Sequence, residues 1–356
     1  MPVREAQEAE YRSRFEVYER FASQVAHLIG LACRQDDVVR VHSLDHRAKP
    51  VESFVEKLSR PGKAYTHPLT EMTDLAGVRI VLYELGDVKR VESLVGDLLK
   101  VDPANSVRLG KRHAANEFGY ESCHLVCSLP EPRRALAEWK PYEGMSCEIQ
   151  IRTVLQHAWA SVSHAYQYKR DADVPEVLRR RLFRVAGLLE LADEEFQAIE
   201  EGHRVLRQDA DASARSDPGW NPPIDVTTVG PALANATRLP RVTELAIAAG
   251  FEVIEAPGGS RAIPDLVALA DLAGLETVAD LTALLEVSDE LVAEYFAALM
   301  SDSGNWSVSP PFVALLILVL DRADSFSVTD LVHIGWHERI AGRVVRIARS
   351  CAPDPR

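Results

Sequence analysis

The 356-residue chain lacks several features that would assign it to a broad class at once. Its longest apolar run, residues 312–320, is too short to span a bilayer. Met1 does not begin a charged and then apolar signal segment, and the five cysteines are widely scattered. No fixed-period repeat and no low-complexity tract is evident. We therefore expect a cytoplasmic protein with reduced thiols, without membrane association and without a disulfide framework.

Positive charge is scarce and unevenly distributed. The formal net charge is −13, and no lysine follows Lys169. Residues 221–356 carry −9 of this charge and use only arginine as a base, whereas residues 1–220 carry −4. A surface that binds nucleic acid over its whole extent is therefore excluded, but a local cationic cleft in the first 220 residues is not.

The composition along the chain predicts two domains. Residues 213–223 combine serine, proline, glycine and asparagine between two periodic regions, which is typical of a linker. We expect a first domain over residues 1–212 and an acidic, helical domain over residues 224–356. Capping triplets at Thr277 and Ser327 support helices in the second domain.

Hydrophobic periodicity predicts both strands and helices in the first domain. The apolar, β-branched segment 77–83 is typical of a strand, and residues 87–100 repeat apolar positions on one helical face. Thr153 and Gln156 have the spacing of a capping box, so a helix should begin at Val154. Further strands are predicted at 121–129 and 147–152, and further helices at 5–32, 51–58 and 174–206.

Polar side chains alternate along the last predicted strand. In residues 147–153, Glu148, Gln150 and Arg152 share one face because successive side chains point to opposite sides. Asp74 precedes another strand and could offer a second carboxylate to the same cleft. Two oxygen ligands beside cations suit a magnesium–nucleotide site, although a solvated polar face would give the same pattern.

A second concentration of charge surrounds Pro50. Lys49, Ser53 and Lys57 are spaced four apart, so the part beyond Pro50 would project along one face of a helix. The N-terminal dipole of that helix favours anions, and Arg47 lies just before it. The segment suits a polyphosphate, while an ordinary charged helix face is the alternative.

Four motifs occur in order along the first domain, and a fifth continues from them. The four are Arg47-x-Lys49-x-x-x-Ser53, Asp74-Leu-x-x-x-Arg79, Gly119-Tyr120-Glu-Ser-x-His124 and Glu148-Ile-Gln-Ile-Arg-Thr153, and the continuation is Gln156-His-Ala-Trp-Ala160 with His164 and Tyr168-Lys169. Together they resemble the synthetase domain of the RelA/SpoT family. The resemblance covers roughly residues 40–170 and implies an α+β fold with a mixed sheet of about five strands flanked by helices, similar to nucleotidyltransferases.

This resemblance implies transfer of the β,γ-pyrophosphate of ATP to the 3′-hydroxyl of GDP or GTP, which makes the alarmone (p)ppGpp. It assigns Asp74 and Glu148 as Mg²⁺ ligands, with Glu148 also taking the proton of the attacking hydroxyl. The ATP donor is expected at the positions of Arg47, Lys49, Ser53 and Lys57, and Arg79 could reach a phosphate from its own strand. Tyr120 and His124 match acceptor-binding positions, and Asn116 stands at a third. The remaining cleft-facing candidates for the acceptor are Gln150 and Arg152.

Two departures from the family pattern concern the acceptor. Asn116 stands where relatives commonly have a lysine, and Ser163 stands where a carboxylate commonly precedes the histidine at 164. Alternative acceptors are therefore the 3′ end of tRNA or an adenosine nucleotide, and a catalytically inactive, nucleotide-binding regulator is a further alternative. The chain has no His-Asp dipeptide, so we expect no alarmone hydrolase.

The second domain resembles no family that the sequence alone identifies. Its acidic, lysine-free composition suggests a regulatory domain that binds the synthetase domain or a protein partner. A module for stability or for assembly into a homo-oligomer is the competing interpretation.

Overall fold

The computed structural model describes residues 2–35, 39–60, 65–108, 122–165, 176–254, 261–301 and 306–352. It divides into two compact units, Met1–Ile199 and Glu200–Arg356. In the part of the chain so described, no helix is both long and apolar enough to cross a membrane.

The first unit contains a mixed sheet of five strands. They are β1 (Val41–Ala48), β2 (Ala76–Leu82), β3 (Lys100–Val107), β4 (Cys123–Ser128) and β5 (Ser146–Thr153), in the spatial order β1-β2-β5-β4-β3. The central pair β2 and β5 is parallel, and every other neighbouring pair is antiparallel. The expected α+β class with a mixed five-stranded sheet is confirmed.

The two strands that the periodicity does not predict are the two edges of this sheet. β1 and β3 carry mostly polar, partly exposed side chains, whereas β2, β4 and β5 place buried apolar residues toward the core. An edge strand needs no continuous apolar face, so hydrophobic alternation does not reveal it. The three predicted strands are confirmed as the central three.

Helices cover the apolar side of the sheet. Ile149 and Ile151 of β5 are fully buried in a core that includes Phe21 and Ile29 of the first helix. The helices of this unit are α1 (Pro2–Gln35), α2 (Val51–Leu58), α3 (Pro68–Glu71), α4 (Leu85–Leu98), α5 (Glu131–Arg134), a 3-10 turn (Lys140–Tyr142), α6 (Val154–Ala165) and α7 (Glu176–Ser216), of which α7 continues into the second unit.

The capping box at the start of α6 is confirmed. The Thr153 amide donates to Gln156 Oε1 at 2.9 Å, and the Gln156 amide donates to Thr153 Oγ1 at 3.0 Å. The Thr153 hydroxyl in turn donates to Asp193 Oδ2 on α7 at 2.7 Å, and both residues are buried. This bond fixes the junction of β5 and α6 against α7.

The start of the segment expected to be a linker is helical, and its end makes specific contacts. α7 extends to Ser216, and residues 221–224 bond to other residues of the second unit. The Ile224 amide donates to the Glu276 carbonyl at 3.0 Å, and the Ala279 amide donates to Asn221 Oδ1 at 2.9 Å. Residues 221–224 are therefore fixed to the second unit.

The second unit is helical, as expected, with one short parallel strand pair. Both predicted capping boxes, Thr277 with Asp280 and Ser327 with Asp330, are present. The elements are α8 (Val229–Asn235), α9 (Leu239–Ala248), β6 (Glu252–Val253), α10 (Ala262–Leu272), α11 (Val278–Ala283), a 3-10 turn (Leu284–Glu286), α12 (Asp289–Ser301), β7 (Ser307–Val308), α13 (Pro310–Asp321), α14 (Val328–His333) and α15 (Glu338–Cys351).

The same order of elements occurs twice in this unit. β6, α10, α11 and α12 are followed by β7, α13, α14 and α15, and the two strands pair with each other. The short second helix begins with a capping box in both halves and buries an equivalent leucine, Leu281 or Leu331. The spacing between equivalent elements varies, so a search for a fixed period does not find the repeat.

Arginines hold backbone carbonyls in this lysine-free unit. Arg349 donates through Nε and Nη2 to the carbonyls of Ala323 and Phe326, at 3.2 and 2.7 Å. Arg238 donates to two further carbonyls in the same way. The planar guanidinium presents several donors in a fixed fork, which a lysine ammonium cannot reproduce. Arginine is therefore used here as a structural donor.

Candidate active site

The polar face of the sheet forms a cleft across four strands. The strand register places Asp45, Arg79, Gln150 and His124 in one row across β1, β2, β5 and β4. Side chains directly opposite each other on neighbouring strands share a face, so this row lies on one surface. A cavity of about 300 Å³ opens there, lined by Asp45, His46, Arg47, Lys49, Asp74, Gly77, Val78, Arg79, Glu148 and Gln150.

At one end of the cleft, two lysines share one carboxylate oxygen. Lys49 Nζ and Lys57 Nζ each lie 2.8 Å from Asp74 Oδ2, and the three side chains are about one-fifth exposed. Lys57 comes from α2, whereas the Lys49 backbone is fixed by its amide donating to the Leu75 carbonyl at 2.9 Å. The Tyr11 hydroxyl donates to the Lys49 carbonyl at 2.6 Å. The ammonium groups are thus held in place before any ligand binds.

The other oxygen of Asp74 has no partner. Oδ1 is buried and accepts no hydrogen bond from the described residues. Burial raises the pKa of Asp74, but the hydrogen bonds and charges of Lys49 and Lys57 outweigh it and hold the pKa below its ordinary value. Asp74 is therefore ionised at neutral pH with one oxygen available.

Glu148 lies within a continuous chain of polar contacts. Its Oε1 is 3.0 Å from His124 Nδ1, and its Oε2 accepts from Gln150 Nε2 at 3.2 Å. Beyond these, His124 Nε2 is 2.7 Å from the Ser122 hydroxyl, and Arg152 Nη2 donates to Gln150 Oε1 at 2.7 Å. These contacts fix the orientation of the Glu148 carboxylate on β5.

The same polar contacts also determine the charge of Glu148. Burial raises the pKa of Glu148, and the nearby charge of Asp74 adds to that effect. The hydrogen bond and charge of His124, with the hydrogen bond from Gln150, lower it further than burial raises it. Glu148 is therefore ionised at neutral pH, close enough to Asp74 for the two carboxylates to interact.

Guanidinium groups without carboxylate partners lie along the rest of the cleft. Among the described residues, none of Arg47, Arg79 and Arg152 has a carboxylate within 4.0 Å, and the Nε atoms of Arg79 and Arg152 are buried without an acceptor. Burial and the charge of Arg79 lower the pKa of Arg152, Arg47 adds to this, and Glu148 opposes it. Uncompensated positive charge of this kind favours an anionic ligand.

His157, on α6, lies near the cleft residues Arg79 and Arg152, and the sequence pattern assigned it no role. Its Nδ1 is buried without a partner among the described residues. Burial, followed by the charges of Arg79 and Arg152, lowers the pKa of His157. Asp45 was also not singled out, because only the strand register shows which residues of different strands share a row.

The sequence-predicted residues fall into three groups. Ten of them are described, and nine of these line the cavity or bond directly to a lining residue. Ser53 lies on α2, one turn before Lys57, and does not line the cavity. Asn116 and Tyr120 fall outside the described residues. The others are Arg47, Lys49, Lys57, Asp74, Arg79, His124, Glu148, Gln150 and Arg152.

The carboxylate pair fits a magnesium ion bound with a nucleotide. Asp74 and Glu148 line the same cavity, and Asp74 Oδ1 is a buried oxygen without a donor. No group of three or more histidine, cysteine or acidic side chains suited to a metal occurs in the described part of the chain. Magnesium commonly uses one or two carboxylates together with substrate phosphates, so two ligands are sufficient.

Comparisons with known proteins match the region of the chain that contains this site. A family model described as "Region found in RelA / SpoT proteins" matches residues 46–173. GTP pyrophosphokinase YjbM of Bacillus subtilis is 31% identical over 168 residues, which cover 46% of this chain and 74% of that protein. The chain belongs to the RelA/SpoT family. This is a family of pyrophosphotransferase enzymes, and the matched region ends before the second unit.

Other RelA/SpoT relatives match a similar share of the chain. GTP pyrophosphokinase YwaC of Bacillus subtilis is 32% identical over 158 residues, which cover 43% of this chain and 70% of that protein. Among solved structures, small alarmone synthetase 1 from Bacillus subtilis bound to its product pppGpp is 28% identical, with a TM-score of 0.43. That match covers 54% of this chain and 98% of the other.

Proposed function

We propose that this protein transfers the β,γ-pyrophosphate of ATP to the 3′-hydroxyl of GDP or GTP and so makes (p)ppGpp. The observation that carries the proposal is the carboxylate pair Asp74 and Glu148 in one cavity. Beside this pair lie guanidinium groups that have no carboxylate partner among the described residues, and two lysines that are ion-paired with Asp74. The relatives YjbM and YwaC, both named GTP pyrophosphokinases, support guanosine nucleotides as acceptors.

The lysine end of the cleft suits the polyphosphate of the donor. Lys49 and Lys57 form ion pairs with Asp74 and can exchange this carboxylate for phosphate oxygens when the donor binds. Positive charge held in place before binding stabilises the charge that develops during pyrophosphoryl transfer. Arg47 and Arg79 extend the same cationic surface along the sheet.

Asp74 and Glu148 would hold a magnesium ion together with the donor phosphates. When bound, the ion supplies two positive charges that offset the charge of the polyphosphate. The free Oδ1 of Asp74 supports this assignment, because it is a buried oxygen with no donor among the described residues.

Glu148 is the residue best suited to accept the proton of the attacking hydroxyl. Its pKa is below the ordinary value, so it is an ionised base at neutral pH. In the transfer, the acceptor 3′-oxygen forms a bond to the β-phosphorus of ATP, and the bond from that phosphorus to the α,β-bridging oxygen breaks. AMP leaves, and the 3′-hydroxyl proton goes to a carboxylate oxygen of Glu148.

His124 and Gln150 lie on the side of Glu148 away from the lysines and are suited to the acceptor. Both side chains contact Glu148 through one nitrogen, so an acceptor bound to them would lie next to the base. The alternatives of tRNA and adenosine nucleotides rest on Asn116 and Ser163, and no described contact favours either.

Transfer from labelled ATP tests the proposal. The donor is ATP labelled at the β- or γ-phosphate, with magnesium present. We expect a labelled product when GDP or GTP is the acceptor, and none when AMP, ATP or tRNA is the acceptor. Glu148→Gln should abolish transfer while ATP still binds, and Glu143→Gln, at an exposed position of the same domain, should transfer normally. Label on tRNA alone would contradict the acceptor, and full activity of Glu148→Gln would contradict the base.

A further inference from the structure

The last two helices of the second unit form a helix-turn-helix. α14 ends at His333 and packs against α15, which begins at Glu338, so four residues connect the two helices. Gly335 in this turn has a φ of 99°, a left-handed conformation that other residues rarely adopt. Two packed helices joined by a turn of three or four residues that contains glycine are typical of proteins whose second helix enters the major groove of DNA.

The turn is fixed to α10 by side-chain contacts. The Ile334 carbonyl accepts from Arg261 Nη2 at 2.7 Å, and the Trp336 indole donates to Asp265 Oδ2 at 3.3 Å. Arg261 and Asp265 form an ion pair with each other at 3.4 Å. These contacts hold the start of α15 in place before any ligand binds.

The solvent-facing side of α15 is cationic. Arg339, Arg343 and Arg346 follow one another at steps of four and three residues, which keeps them on one face, and we call them the α15 arginines. They line one surface groove, and Glu338 is the single acidic residue of the helix. The opposite, buried side of α15 consists of Ala341, Val344, Val345, Ile347 and Ala348. An acidic segment of the chain therefore contains a local cationic surface.

The repeat within this unit shows that the packing of α15 does not depend on a cationic surface. α12 is the equivalent helix of the first half, and Glu290, Glu294 and Ala297 stand where α15 has its arginines. The two helices bury residues at the same spacing, namely Val292, Tyr295, Phe296 and Leu299 in α12 and Ala341, Val344, Val345 and Ala348 in α15. Arg343 also donates to the Leu299 carbonyl, so it has a structural contact as well. Arg339 and Arg346 are exposed, and the shared packing gives no reason for their charge.

We propose that α15 is the recognition helix of this helix-turn-helix and binds in the major groove of duplex DNA. In proteins of this kind, the first residues of the second helix contact base edges, and the first helix crosses the phosphate backbone. Arg339 lies in the first turn of α15, where a guanidinium can pair with O6 and N7 of guanine. Arg346 lies two turns later and is suited to a phosphate.

The character of the α15 surface favours duplex DNA over RNA. The major groove of B-form DNA admits an α-helix, whereas the major groove of A-form RNA is deep and too narrow for side chains to read. Recognition of unpaired RNA commonly uses aromatic side chains on which bases stack, and the segment Glu338–Cys351 contains none. The helix and its arginines therefore match the groove of duplex DNA.

Binding of a DNA duplex by the full-length chain tests the proposal. Fluorescence anisotropy with a random-sequence duplex of about two helical turns should give a dissociation constant of about 1–100 μM near physiological salt. The double variant Arg339→Ala, Arg346→Ala should bind at least about tenfold more weakly. The slope of log affinity against log salt concentration should fall by about 1–2, because each lost phosphate contact removes about 0.9. Arg322→Ala, at an exposed arginine of the same unit, is the control and should bind as wild type does.

Two further variants separate loss of charge from misfolding and from binding at another surface. Arg339→Lys with Arg346→Lys keeps both charges and should retain the wild-type salt slope. Arg47→Ala with Arg79→Ala removes two arginines from the cleft of the first unit and should leave duplex binding unchanged.

Four results would overturn the proposal. They are a wild type that does not bind the DNA duplex, an alanine variant of α15 with wild-type affinity and salt slope, a cleft variant that loses as much affinity as the α15 variant, and binding of an RNA duplex of the same sequence as tightly as DNA. The last two would place the nucleic acid in the first unit or assign it to RNA. None of these measurements depends on pyrophosphoryl transfer, so they do not test the proposed activity.

Discussion

A larger side chain at Gly77 should have opposite effects on the stability of the sheet and on ligand binding in the cleft. It lies on β2 between Arg47 and Glu148 in the strand register and lines the cavity. A Cβ at this position would meet only the backbone oxygens of these two neighbours, at 3.8 and 3.9 Å, which is ordinary van der Waals contact. Gly77→Val should therefore fold, and it should be about 0.5–1 kcal/mol more stable because glycine weakens a strand interior.

The same substitution should impair donor binding. The isopropyl group would project into a cavity of about 300 Å³ between a guanidinium and a carboxylate that we assign to ATP and magnesium. Steric overlap of this kind costs about 1–3 kcal/mol, so the dissociation constant for a non-hydrolysable ATP analogue should rise about 5- to 150-fold. Gly77→Ala, which adds only the Cβ, should lie near wild type.

Isothermal titration calorimetry with the analogue and magnesium, together with thermal unfolding of each variant, measures both effects. Gly96→Ala on α4 is a control, because a Cβ there meets nothing within 4 Å. A stable Gly77→Val variant that binds the analogue as tightly as wild type would show that this cavity is not the donor site.

Three further predictions concern charge and hydrogen bonding. His124→Ala should raise the pKa of Glu148, because the hydrogen bond and charge of His124 are the largest effects that lower it; an NMR titration of the magnesium-free protein measures the change. Asp289→Asn should make the stability of the protein less sensitive to acid. Two arginines hold the pKa of Asp289 below its ordinary value. Its contribution to the free energy of unfolding is therefore present at neutral pH and is lost as pH falls through the lowered pKa. Unfolding measured at a series of pH values detects this loss. Arg349→Lys should destabilise the protein by about 1–2 kcal/mol in calorimetry, since a lysine cannot serve both carbonyls, whereas Arg322→Lys at an exposed ion pair should change it by less than about 0.5 kcal/mol.

The sequence pattern predicts the centre of the sheet better than its edges, for a physical reason. β2, β4 and β5 each bury an apolar face, so hydrophobic alternation marks them. β1 is polar because it carries the cleft residues Asp45 and Arg47, and β3 contains Pro103, which only an edge strand tolerates. Polar cleft residues in β1 and the edge position of β3 thus remove the hydrophobic alternation on which strand prediction depends.

The residues of the site likewise fall into those that a local sequence pattern predicts and those that only long-range pairing brings together. Alternation along one strand is enough to place Glu148, Gln150 and Arg152 on one face, and the structure adds that they bond to one another. Residues that meet only through strand register or helix packing, such as Asp45 and His157, carry no local pattern. Their position follows from which strands are neighbours, and the order β1-β2-β5-β4-β3 is not a property of any single segment.

The two units use positive charge in different ways. In the cleft, Lys49 and Lys57 share an oxygen of one carboxylate, and a compact ammonium on a flexible stem can leave that oxygen for a phosphate. In the second unit, Arg238 and Arg349 each hold two carbonyls at the ends of helices, a task that needs a planar fork and no exchange of partner. The net charge of −13 therefore conceals a set of cations in one unit that we propose binds the donor, and a structural set in the other.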